Sequence, residues 1–208
     1  LVDTHAYKEQ LMSRLLGASF KNVQSKIPNL ENGIIEHFEN VHGKKMICNR
    51  HIENMCDTRR KPRQDGFYMF TVQKRNESHG IFIYKETQPN GRVIFHLFDP
   101  NGRKWANRGY KLDISYDKPH AYTVQMSPSN IWNDQGGHCA IWCLVVIVLW
   151  NSSDDGWSAL QLFDQKMSNT RKTFIEGIYN LIAWGKNFDT PSEITDFICQ
   201  IRQRIDAL

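Results

Sequence analysis

Cys139 stands at a threshold in the sequence. Before it comes Asn133-Asp134-Gln135-Gly136-Gly137-His138, and after it the chain runs from Ala140 to Trp150 without a charge. A thiol reacts as its thiolate, whose formation is favoured at a helix N-terminus or beside an imidazolium. The two glycines let the chain turn sharply into a helix and bring backbone N–H groups close to the thiol. Such groups could hold an oxyanion. Cys139 is therefore a candidate nucleophile. A buried structural cysteine is the competing reading, and Cys143, one turn deeper, is read as core.

A nucleophilic thiol needs a base. His79, in Asn76-Glu77-Ser78-His79-Gly80, opens an apolar strand. Asp99 closes the next strand across a hairpin. Antiparallel hairpin partners set the start of one strand beside the end of the next, so His79 and Asp99 are expected as cross-strand neighbours. An acid there would fix the imidazole tautomer and stabilise its charge. Alone, each has a plain reading, a loop histidine and a turn aspartate; their hairpin relation makes the pair informative. His96, between Phe95 and Leu97, reads as a core or sheet-face histidine. His120 also opens a strand, but no acid is placed across a hairpin from it. His138 diverges from Cys139 by about 100° at a helix start and is expected to face solvent or substrate.

The elements that must position these groups follow from periodicity. Tyr7, Leu11, Leu15 and Phe20 space a helix over 4–20, and 31–41 a second. Residues 42–65 are polar. Strands are expected at 67–72, 80–85, 92–98 and 120–125, rich in β-branched and aromatic residues between turn residues. Gln88-Pro89-Asn90-Gly91 is a hairpin turn, and Asp99-Pro100-Asn101-Gly102 another turn. The loop 126–138 leads to the buried helix 139–150. Helices follow at 157–165, 167–184 and 191–207, the last announced by Thr190-Pro191-Ser192-Glu193. The class is α+β: a central mixed sheet, a buried helix carrying the nucleophile, and flanking N- and C-terminal helices. Residues 1–65 read as a helical extension with a basic loop, and 66–208 as the core domain.

Bulk properties bound the rest. A chain of 208 residues suits one domain with a small appendage, and 40% hydrophobic and 12% aromatic residues argue against disorder. The net charge of +4 is concentrated in Arg59-Arg60-Lys61-Pro62-Arg63. Arg59, Arg60, Lys61 and Arg63 form a solvated loop or a contact for nucleic acid or an acidic partner. The five cysteines lack framework spacing and read as reduced thiols of an intracellular compartment. No signal peptide is visible at Leu1, and a first residue other than methionine suggests a fragment, a processed product or a trimmed chain. The apolar run at Cys139 is shorter than the ~20 residues a membrane span needs.

The order His, acid, Gly-x-Cys at a helix start resembles one family. In "SHGIFIYKETQPNGRVIFHLFDPNG" and "GGHCAIWCL" the chain is similar to the ubiquitin-like-protein proteases, the adenovirus endopeptidase and their relatives in large DNA viruses, the last above all. The resemblance covers about residues 66–150. It implies a cysteine peptidase or isopeptidase working through Cys139, His79 and Asp99, without cofactor or metal. It further implies a glutamine that donates to the oxyanion. Gln125 is the choice here, with Gln135 and Asn133 open. Gly80 stands where many members have Trp, and Ala140 where many have Gly. The resemblance also implies protein substrates cut after glycine-rich sites. These would be a viral capsid or polyprotein precursor, in host cytoplasm or virion, or else conjugates of ubiquitin or SUMO.

Two other classes compete. His42, Cys48, His51 and Cys56 could hold zinc beside the basic run, as part of a zinc- or nucleic-acid-binding module, although their spacing matches no known finger. A catalytically dead interaction domain of the same fold is the other, and the survival of His79, Asp99 and Cys139 speaks against it.

Overall fold

A computed structural model describes residues 4–42, 65–74, 77–100, 122–126, 138–167 and 169–208. In chain order the elements are α1 (Thr4–His42), β1 (Gly66–Lys74), β2 (Glu77–Thr87), β3 (Val93–Phe98), β4 (Tyr122–Met126), α2 (Cys139–Asn151), α3 (Gly156–Met167), α4 (Arg171–Trp184) and α5 (Pro191–Asp206). The chain is α+β. The sheet order is β1-β2-β3-β4, antiparallel between the first three strands and parallel between β3 and β4. The sheet is therefore mixed.

The sequence dictates where α2 goes. It carries no charge, so no face of it is suited to water. Every residue from Ile141 to Leu149 is buried, with β2 on one side and α1, α3, α4 and α5 around it. Phe67, Phe82 and Phe98 of the sheet join the same core, as do Phe163 and Phe174. The Trp142 indole stacks on Phe174, centroids 6.0 Å apart. Strand alternation sends Ile81, Ile83 and Leu97 to the opposite face of the sheet, and they too are buried.

The β2–β3 turn is the expected one. Gln88 N–H donates to the Arg92 carbonyl at 2.8 Å, and Gly91 takes the positive φ of 81° that favours glycine. At α5, Thr190 caps the Glu193 N–H as expected. The Glu193 carboxylate reaches back one residue further, to the Asp189 N–H at 2.9 Å.

The N-terminal region differs from its reading. One helix, α1, replaces the two expected at 4–20 and 31–41, and it runs through Pro28. Pro28 is exposed, so the hydrogen bond it cannot make is lost on the solvent side. The opposite face carries Val23, Ile27, Leu30, Ile34 and Phe38, all in the main core. The Lys26 ammonium holds α1 in place by donating to the carbonyls of Ile182, Ala183 and Gly185 at 3.1, 3.2 and 2.7 Å. Those carbonyls end α4 and have no helical donor of their own. Part of the stretch read as an extension, 1–65, is thus built into the core of 66–208. Arg59, Arg60, Lys61 and Arg63 lie outside the described residues. So do Cys48, His51, Cys56 and the side chain of His42.

Candidate active site around Cys139

Cys139 opens α2, and its side chain is partly exposed. No acidic residue occupies the first turn, and the His138 side chain does not cap it. The thiol therefore stands at the positive end of the helix dipole. The His138 ring packs edge-on against Tyr179 of α4 at 5.6 Å, and the residue is half-buried.

Strand β2 meets the thiol directly. The Gly80 N–H donates to Cys139 Sγ at 3.3 Å. A Cβ at position 80 would lie 3.3 Å from Ala140 N, 3.4 Å from Ala140 Cα and 3.6 Å from the Cys139 carbonyl carbon. A side chain here would crowd the Ala140 backbone, so glycine favours this close approach of strand and helix start. The sequence marked Gly80 as a departure from the family pattern; its use, a close approach, was visible only in the tertiary structure. Because the Gly80 nitrogen is bonded to the His79 carbonyl carbon, the His79 Cα lies within about 6 Å of Sγ by standard backbone dimensions. His79 itself is paired with Val72 of β1, and its imidazole lies outside the described residues.

Asp99 follows the last β3 residue paired with β2, in the pair Phe82↔Phe98. His79 lies three residues before Phe82 on β2, so the backbones of His79 and Asp99 lie at the same end of the hairpin. Asp99 is buried. Burial pushes the Cys143 thiol well above its ordinary value, and Cys139, Asp99 and Glu31 add to the rise. Asp99 thus bears on the same first turns of α2 as Cys139.

Gln125 falls elsewhere. It pairs with His96, which pairs with Tyr84, so it stands four residue levels along the sheet from Gly80. At 3.3 Å per residue that is about 13 Å. The cause is the parallel docking of β4, which the strand pattern alone does not specify. Gln135 and Asn133 lie outside the described residues. His96 is satisfied by Glu86 and Trp157 at 2.9 and 2.8 Å, in keeping with its reading.

Among the described residues no cluster of His, Cys, Asp and Glu is arranged to hold a metal ion, and no helix is long and apolar enough to cross a membrane. No protein-family model matches the chain, and no curated protein matches it.

Proposed function

We propose that this chain is a cysteine peptidase or isopeptidase that cuts proteins after glycine-rich sites. The observation that carries the reading is the 3.3 Å bond from Gly80 N–H to Cys139 Sγ, which sets the backbone of His79 beside a thiol at a helix start. His79 takes the proton from Cys139. The thiolate attacks the scissile carbonyl carbon, and its oxygen becomes an oxyanion held by the Cys139 N–H and a side-chain amide. The C–N bond breaks as His79 returns its proton to the leaving amine. Water, deprotonated by the same imidazole, then hydrolyses the thioester and restores the thiol. Asp99 orients His79 and stabilises its charge. Given the distance of Gln125 from Gly80 along the sheet, the side-chain amide is assigned to Gln135 or Asn133.

The substrate read from the resemblance is a viral precursor, with ubiquitin-like conjugates as the alternative. Labelling of the native protein by a Gly-Gly-x-Gly peptide aldehyde, and by a panel of ubiquitin-type vinyl sulfones, tests both. Labelling that disappears with Cys139→Ala supports the peptidase, and the probe that labels names the substrate. No labelling by any probe, with the fold intact, overturns the reading and leaves Cys139 a structural cysteine.

A further inference from the structure

At the far end of α2 from Cys139 lies a second cleft, of about 660 Å³. Five rings from five elements line it, and Phe67 of β1 stacks on Tyr84 at 4.6 Å. Tyr84 of β2 and His96 of β3 lie side by side on the sheet, stacked at 5.6 Å. Trp150 of α2 stands over both, at 5.8 and 5.2 Å. Trp157 of α3 closes the group, edge-on to Trp150 at 5.3 Å.

The rim is acidic. Among the described residues, Asp65, Glu86, Asp154 and Asp155 line it, and no lysine or arginine does. Lys85 meets Asp65 at 3.8 Å, and Arg202 donates to Ser152 at 3.1 Å; neither lines the cleft. His96 adds no charge. The Trp157 indole N–H can only donate, so His96 Nδ1, which accepts it at 2.8 Å, carries no proton. Nε2 must then donate to Glu86 at 2.9 Å, leaving a neutral ring. Helix α2 also ends here with no basic residue in its last turn, so the negative end of its dipole adds to the carboxylates. Glu86 and Asp65 already push the Tyr84 phenol above its ordinary value, after burial.

We infer that this cleft binds an arginine side chain carried on a basic segment of a protein partner. Ring faces attract a cation, and a planar guanidinium stacks on rings while giving paired N–H groups to carboxylates. A quaternary ammonium would satisfy the rings but has no N–H to donate to a rim carboxylate such as Asp154. The volume exceeds one side chain and falls in the range of about 300–1,000 Å³ typical of ligand clefts, so flanking peptide fits as well. The site is separate from the thiol and does not depend on its chemistry.

The test uses the Cys139→Ala protein and a fluorescein-labelled acetyl-Gly-Arg-Arg-Gly peptide, read by fluorescence anisotropy. Saturable binding is expected. It should weaken about tenfold or more in Asp154→Asn and in Glu86→Gln, the loss of roughly one charged contact to a ring-bound cation. Asp154 is exposed on a loop, so that variant keeps the fold, and circular dichroism checks the other. Replacing the arginines by citrulline should abolish binding, and Glu176→Gln on distant α4 should leave it unchanged. Equal binding by the citrulline or a trimethyllysine peptide, an equal loss in Glu176→Gln, or no saturation up to millimolar protein overturns the inference.

Discussion

Cys139 and Cys143 stand one turn apart on α2 in opposite environments. Cys139 is partly exposed at the helix start and accepts the Gly80 N–H. Cys143 is fully buried, and its thiol is pushed well above the ordinary value of 9.0. Position along a single helix thus separates a partly exposed thiol from a buried one, and the exposed one is expected to react first. In a Cys199→Ser background, which removes the exposed thiol of α5, iodoacetamide at neutral pH should modify Cys139 and spare Cys143. Mass mapping of the alkylated peptides reads this directly, and rapid loss of both thiols would sink the assignment.

The same burial predicts an alkaline weakness. Cys143 holds its proton more tightly folded than unfolded, so its contribution is fully present below the ordinary value of 9.0 and is lost as pH rises from there through the raised folded value. Urea midpoints should therefore fall as pH rises above about 9, and fall less in Cys143→Ala. That variant starts about 1–2 kcal/mol less stable at pH 7, since it loses packing volume in the core. An identical pH slope in both proteins would remove Cys143 as the cause.

Gly80→Val should harm activity more than folding. The added side chain meets Ala140 backbone at 3.3–3.4 Å, and neither strand nor helix can yield without moving the thiol from β2. A loss of kcat of about a hundredfold is expected, the scale set by a 1 Å misplacement. Peptide hydrolysis and thermal melting, measured together, separate this from simple unfolding.

The proposed roles divide by side chain. Asp99→Asn should lower kcat by up to about 10⁴-fold, the size of a lost orienting acid. Gln125→Ala should leave the rate near wild type, while Gln135→Ala or Asn133→Ala should cost about 10²–10³-fold, as for a lost oxyanion donor. A large loss with Gln125→Ala and none with the other two would reverse the assignment made from the sheet register.

Lys26→Met should destabilise the protein by about 3 kcal/mol, the scale of lost hydrogen bonds from a charged donor. The carbonyls of Ile182 and Gly185 would lose the ammonium donor, while Ala183 would keep the Asn22 amide at 2.7 Å. Denaturant unfolding checks it; an unchanged midpoint would mean that water replaces the ammonium.

Local pattern settled much of this molecule. The uncharged run after Cys139 had to be a buried helix, because no face of it could meet water. The alternation in β2 and β3 and the Asn90-Gly91 turn fixed a hairpin, because period and turn chemistry act within a few residues. The order His79, Asp99, Cys139 could be read from the chain as well. Other relations join residues far apart in sequence, and the tertiary structure decided them. The polar residues 21–29 look like a gap between helices until Val23, Ile27 and Lys26 find the core and the end of α4. Parallel pairing of β4 moved Gln125 to His96, since a strand's own pattern does not say which way its neighbour runs. Gly80 became the point where strand meets thiol only once α2 was packed on β2. The cleft of Phe67, Tyr84, His96, Trp150 and Trp157 draws one ring from each of five elements. Periodicity assigns a face to each ring, but only packing decides which faces converge.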